Sequence, residues 1–249
     1  MKICLLADVT NIHTIRWAKY FASKGFEVHL ISLKPPSDDE LKKMNYYVLS
    51  NKISIPFTGS INYAMQVKRI LKIINPDILH AHFLAGYGVI GALTNFHPFV
   101  ISIWGSDVLV APNSSKILKY MEYYALKKSD VVTTIPEFMK NYILNIFKVD
   151  GNKIIRIPWG IDLELFHRGY GKEIVLMKEK LKIKNNSPTI ISNRAITPHY
   201  NIEKIVDAIP YVIERYPDVV FIFIKGNGTS EYTNKEKAKI AELKVTENT

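Results

Sequence analysis

The chain has 249 residues, 47% of them hydrophobic and 22% charged, which allows one large domain or about two ordinary ones and argues against intrinsic disorder. A single cysteine, Cys4, excludes an internal disulfide framework, and no run reaches the ~20 apolar residues that a membrane span requires. The net charge of +10 is spread, with 19 Lys and Arg against 13 Asp and Glu over residues 1–166 and 14 against 10 beyond, which argues against a nucleic-acid binder and fits a solvated surface or attraction to anionic membranes and substrates.

Residues 2–8 read as a buried strand, with Cys4 as a small hydrophobe within it. No signal-peptide pattern precedes it, so a cytoplasmic location is expected. A loop over 9–13 leads to a helix with Thr14 as its expected cap, an apolar stripe of Ile15, Ala18, Phe21 and Ala22, and Gly25 as its stop. A second strand over 26–33 makes this the opening of a parallel, doubly wound α/β sheet. Ligands in such sheets sit beyond the carboxyl ends of strands, which points to Asn11 and His13. Residues 35–52 are polar and Pro-led and read as a surface excursion. A helix over 60–74 carries Lys68, Arg69 and Lys72 on one side, and Asn75-Pro76-Asp77 stops it.

In the strand over 77–82, alternation puts His80 and His82 on one face. Two histidines at this spacing lack a third metal ligand nearby. The run Gly86-Tyr87-Gly88-Val89-Ile90-Gly91 is a literal G-x-G-x-x-G, but it follows a late strand, and the next acid, Asp107, lies past the strand over 99–104. A dinucleotide site is therefore not expected, and tight helix–sheet packing is. That strand ends in Trp104-Gly105-Ser106-Asp107, which offers a stacking ring, close backbone approach and acceptors for a polyhydroxylated ligand. The alternative for Asp107 is a turn or cap. A helix over 115–128 packs through Ile117, Tyr120, Met121, Tyr124 and Ala125. Lys116, Lys119, Tyr123 and Lys127 lie off that stripe, as a solvated or membrane-facing side. Strands over 130–135 and 153–157 and a helix over 137–147 complete a lobe of about seven parallel strands.

The stretch Ile154 to Phe166 begins as a strand, is stopped by Pro158, and is loosened by Gly160, with Leu163, Leu165 and Phe166 as anchors. It reads as a hinge between two α/β lobes, 1–165 and 166–249, with a ligand cleft facing it. Beyond it come a helix over 174–181, a strand over 188–192 leading to Arg194, a helix over 201–215, a strand over 219–224 ending in Lys225-Gly226-Asn227-Gly228, and a charged helix over 231–244. A cation at a strand end facing a helix N-terminus makes Arg194 an anion-site candidate.

The run Ile157-Pro158-Trp159-Gly160-Ile161-Asp162…Phe166 resembles the interdomain signature of the large retaining glycosyltransferases of GT-B fold, which usually carry Asn where Trp159 stands. His13-Thr14-Ile15-Arg16-Trp17-Ala18 is similar to their first unit, although their Gly-Gly pair is absent. Trp104-Gly105-Ser106-Asp107 resembles their His-Gly-Ser-Asp stretch, with Trp104 replacing the His, and Arg194 matches their pyrophosphate-binding Arg, while the Lys they often add later is absent. The resemblance implies transfer of a hexosyl group from a sugar nucleotide to a hydroxyl acceptor, lipid- and glycan-linked acceptors included. Asp107 and His82 are the implied catalytic residues. Asn11, His13, Trp104, Gly105, Arg194 and Gly226 are the implied binding residues. No cofactor and no metal is implied, and no Asp-x-Asp motif occurs. The family's Glu-x₇-Glu motif is missing, so a chain truncated in its second lobe is expected, with an exposed apolar patch, self-association or partial disorder beyond about Gly226, and peripheral residence on the inner membrane face. A non-catalytic glycan-binding lobe and a sugar-nucleotide epimerase are the alternatives.

Overall fold

Alternation makes the first strand central. In β1 (Lys2–Leu6), Ile3 and Leu5 face one side and Cys4 and Leu6 the other, and all four are buried. A strand apolar on both faces needs helices on both. The computed structural model describes residues 1–50, 58–110, 115–226 and 228–249. Two compact units result, Met1–Gly160 and Ile161–Thr249, where the sequence analysis set a boundary at 165–166.

Unit 1 is built on a seven-stranded sheet. Besides β1 it contains β2 (Glu27–Ser32), β3 (Asn45–Val48), β4 (Ile78–His82), β5 (Phe99–Ser102), β6 (Val131–Thr134) and β7 (Ile154–Arg156). The order is β3-β2-β1-β4-β5-β6-β7 and every pairing is parallel. The chain winds outward from β1 in one direction and from β4 in the other, so right-handed crossovers send helices to opposite faces. On one face α1 (Ile12–Ser23) packs Ala18 against Ile3, Leu5, Val28 and Leu30. On the other lie α2 (Thr58–Ile74), α3 (Val89–Thr94), α5 (Lys116–Lys128) and α6 (Glu137–Phe147), which bury Val67, Leu71, Ala125 and Ile143 against Cys4, Leu6 and Leu79. A short α4 (Ser106–Leu109) precedes α5. The β1–β4 junction, where the winding reverses, is where a doubly wound sheet opens a crevice.

Two expectations for this unit are corrected. Residues 45–48, read as surface excursion, form the edge strand β3; only Tyr47 turns inward, stacking on His29, so the stretch carries no alternating signal. The cap of α1 is Asn11, whose side-chain oxygen accepts the His13 N–H at 2.9 Å, while Thr14 is buried a turn further in. Residues 51 and 52 of the same excursion lie outside the described residues. Gly91 sits where an added Cβ would come within 2.6 Å of the Phe99 ring, so the glycine-rich run serves close helix–sheet packing.

Unit 2 contains α7 (Gly171–Lys180), the parallel pair β8 (Thr189–Ser192) and β9 (Val220–Phe223), α8 (Ile202–Arg215) and α9 (Ser230–Glu242). Its core is Ile196, Ile202, Val206 and Tyr232 with Ile209, Val219, Phe221 and Val245. No residue of α7 is buried, and Ile174, Leu176 and Met177 are exposed on it, as is Ile191 on β8. The apolar exposure expected near the C-terminus thus lies earlier in the unit. Beyond Gly228 the chain forms α9, which packs on α8, and Val245 seats in the core with Ile209, Val219 and Phe221.

Candidate functional site

The loops after β1, β4 and β5 open at the same end of the sheet, beside the winding reversal. Their side chains meet. The His13 ring lies 5.4 Å from that of Trp104, and the His82 ring 5.5 Å from it, centroid to centroid. Trp159, after β7, stacks on His13 at 3.8 Å and meets Trp104 edge-on at 5.9 Å. Arg16, on the next turn of α1, donates from its guanidinium to the Gly160 carbonyl at 2.6 Å and holds that segment against the helix. His13, Trp104 and Trp159, all half-buried, thereby form one wall.

Beneath the wall His82 has no exposed surface. Its Nδ1 lies 3.3 Å from the Thr14 hydroxyl, and its Nε2 has no partner. The Trp104 indole N–H is likewise buried and unpaired. Leaving such a group unmade costs about 1–3 kcal/mol. Burial holds His82 well below the usual imidazole range, helped by His80 and His13, so it is neutral at neutral pH. Burial takes His80 down to about 4. His80 Nε2 shares a proton with the Ser102 hydroxyl at 2.7 Å, and Ser102 with Thr133 at 2.6 Å, a polar chain across β4, β5 and β6. Trp17 of α1 covers both histidines, with centroids 5.4 Å from His80 and 6.0 Å from His82.

Asp107 is fully buried and does not line this wall. Its Oδ1 accepts the Gly105 N–H at 2.7 Å and the Trp104 N–H at 3.1 Å, and its Oδ2 accepts the Leu84 N–H at 2.9 Å. One carboxylate therefore ties the loop after β4 to the loop after β5. Both loops need it. Phe83 has φ +75°, a conformation costly for a residue with a Cβ, and Gly105 has φ +132°. The oxygens of Asp107 are committed to the backbone, a geometry that fits the turn alternative given for it. Glu122 of α5 is buried close by, both oxygens unpaired, and burial with the neighbouring Asp107 charge pushes it up to about 8. Asn11 spends its side-chain oxygen on the helix cap, and Gly105 is buried at the turn.

In unit 2, Arg194 is exposed between β8 and α8, with its guanidinium 4.2 Å from the Tyr200 ring centre. Gly226 and Gly228 follow β9 and press on the loop after β8. A Cβ on Gly226 would reach 2.9 Å from Ala195 Cβ, and one on Gly228 2.3 Å from the Ile196 carbonyl oxygen. Gly226 is thus a packing glycine beside the Arg194 loop; Asn227 lies outside the described residues. Among the described residues no group of three or more His, Cys, Asp or Glu could hold a metal ion. Trp159, Thr14, Arg16 and Glu122 were not among the site residues expected from the sequence. Only Trp159 had a signal there, as an indole in the hinge motif.

A doubly wound parallel sheet with polar and aromatic groups at its β1–β4 end, followed by a second strand–helix–strand unit, is the GT-B type of architecture. Residues 2–135 match the family described as Glycosyl transferase 4-like, and the chain belongs to that family. An uncharacterized glycosyltransferase of Methanocaldococcus jannaschii is 25% identical over 151 residues, covering 58% of this chain and 41% of that protein. A glycosyltransferase structure from Rickettsia africae superposes with a TM-score of 0.79 at 23% identity, covering 99% of this chain and 66% of that one. Anabaena HepE, solved with UDP-glucose, gives 0.78 at 16% identity, covering 100% and 67%. The chain thus spans less than half of its curated relative's length and about two thirds of these structures.

Proposed function

We propose that the protein transfers a hexosyl group from a sugar nucleotide to a hydroxyl acceptor, with retention at the anomeric carbon. The observation that carries this is the wall of half-buried rings, His13, Trp104 and Trp159, at the carboxyl end of the sheet, with the unpaired Trp104 indole N–H behind it. A sugar ring offers that wall an apolar face for the indoles, with its hydroxyls left to the polar groups around them. Family membership and the UDP-glucose complex of HepE support a sugar-nucleotide donor.

In this reading unit 1 takes the acceptor and unit 2 the donor. The bond from the anomeric carbon to the diphosphate breaks, its electron pair leaves with the nucleotide, and the acceptor oxygen forms the new glycosidic bond while its proton passes to the departing diphosphate oxygen. Arg194 meets the charge that develops on the diphosphate, a stabilisation needing no metal. His82, kept neutral by burial, backs the wall from beneath as an uncharged group. Asp107 acts through the loops it joins. The test is incubation with a panel of sugar nucleotides and alcohol acceptors, with release of nucleoside diphosphate and the anomeric configuration of the product read by NMR. Product with inverted configuration, or epimerised donor without transfer, overturns the proposal.

One observation favours a second reading, a glycan-binding lobe without catalysis: the Asp107 carboxylate is committed to backbone. Calorimetric titration separates the two. Nucleotide binding that depends on Arg194 supports the enzyme, and acceptor binding alone supports the lobe. We place the protein in the cytoplasm, at the inner membrane face where its acceptor is lipid-linked, with self-association through the exposed apolar side of α7 and β8.

A further inference from the structure

Helices α2 and α5 both pack on α3, which the strand order sets between them on one face of unit 1. Five of the six residues of α3 are buried, and Leu93 alone is exposed. The outer sides of the three helices therefore form one surface.

That surface has one sign of charge. Lys68, Arg69 and Lys72 are exposed on α2, and the helix contains no acidic residue. Lys116, Lys119 and Lys127 are exposed on α5, whose single acid, Glu122, is buried inward. None of these six cations makes an ion pair among the described residues. The exposed carboxylates on the turns that follow the two helices are already engaged: Asp77 accepts the Lys2 N–H, and Asp130 binds His97 and the Phe99 N–H.

Large apolar groups stand among the cations. Ile61 and Met65, one turn apart on α2, are 56% and 52% exposed, and Ile73 is 79% exposed. On α5, Ile117 and Tyr120, expected from their spacing to pack on the sheet, are instead 56% and 68% exposed, because Glu122, Ala125 and Leu126 face inward. A solvated helix face carries charges of both signs and few such groups. Cations interleaved with apolar side chains and a tyrosine match the boundary of an anionic bilayer, where ammonium and guanidinium groups meet lipid phosphates and the apolar tips enter the acyl region.

We propose that the α2–α3–α5 face docks unit 1 onto an anionic lipid bilayer. The inference gives a physical surface to the lipid-linked acceptor reading and rests on that reading for its purpose, while its support is the surface alone. Each cation at such an interface strengthens partitioning roughly five-fold, in a salt-dependent way.

The test is co-sedimentation of the full chain with vesicles of neutral phosphatidylcholine or of phosphatidylcholine with about one third phosphatidylglycerol, at low and high salt. Binding to the anionic vesicles that weakens with salt is expected. The triple reversal K68E/R69E/K72E is expected to weaken it at least about 100-fold. The triple reversal K235E/K237E/K244E in unit 2, with the same change in net charge, is expected to leave it within about two-fold. A second variant, I61S/M65S, tests the apolar part and is expected to weaken binding with the charge intact. Circular dichroism of each variant guards against misfolding, and all five positions on α2 are exposed. Absence of binding to anionic vesicles overturns the proposal, as does equal loss in both triple variants, which would mean attraction by net charge alone. Release of nucleoside diphosphate with a water-soluble acceptor, measured on the same samples, reports on the transfer reading separately.

Discussion

The most discriminating perturbation is Asp107→Asn. The carboxylate accepts N–H groups from Gly105, Trp104 and Leu84 at 2.7, 3.1 and 2.9 Å, wholly away from water. An amide keeps one oxygen and turns an NH₂ toward the remaining donor. If the oxygen stays on the Gly105 and Trp104 side, the Leu84 N–H is orphaned directly after the strained Phe83. A lost hydrogen bond to a charged group is worth about 1.5–3 kcal/mol, and an orphaned buried donor about 1–3 kcal/mol more. Part is returned, because burial already raises the pKa of Asp107 against the pull of its backbone donors, so a neutral side chain is easier to bury. The net loss is about 2–4 kcal/mol, or about 5–15 °C in the melting temperature of a unit this size. Differential scanning calorimetry reads it. A shift under about 2 °C together with abolished sugar transfer would refute the clamp, and would mean that the carboxylate acts on substrate.

Four further outcomes are expected. Folded Glu122 keeps its proton up to about pH 8 while the unfolded chain releases it near 4.5, so the folded state holds more protons and stability falls as pH rises through that window, by up to about 1.4 kcal/mol per unit. His80 has the opposite sign but acts only below its ordinary value of 6.5, so urea melts between pH 7 and 8 isolate Glu122, and Glu122→Gln flattens the slope there; equal slopes would count against it. Gly91→Ala drives a methyl into the Phe99 ring and destabilises unit 1 by about 1–3 kcal/mol in urea unfolding, with a neutral result showing that α3 has room to move. Trp159→Ala removes the ring stacked on His13 and raises the acceptor KM about ten-fold with a small change in melting temperature, whereas an unchanged KM removes the wall from the site. Arg194→Ala weakens sugar-nucleotide binding about 10- to 100-fold by calorimetric titration, and unaltered affinity would detach that residue from the donor.

The central strands were legible because they are apolar on both faces: Cys4-Leu5-Leu6 without a break, and Val28 to Ile31 with only His29 between. The edge strand β3 was not, since a strand with one inward side chain, Tyr47, has no pattern to read. Within the site, position at a strand's carboxyl end was enough to pick out His82 and Trp104. The contacts that define their surroundings were out of reach, because Thr14 and Trp159 arrive from α1 and from beyond β7, joined only by the folding of the sheet. Asp107 shows a different limit. An acid two residues after a glycine at a strand end fits a substrate ligand and a backbone clamp equally well, and only the three N–H groups around it separate the two.

Trp17, Trp104 and Trp159 are the three tryptophans of the chain, and all belong to unit 1. Each is in ring contact with an imidazole of the candidate site. The protein therefore carries its own optical reporter. Indole emission excited selectively over tyrosine comes entirely from the neighbourhood of His13, His80 and His82, and unit 2 is dark at that wavelength. Quenching or a spectral shift on adding a sugar locates the event without any label.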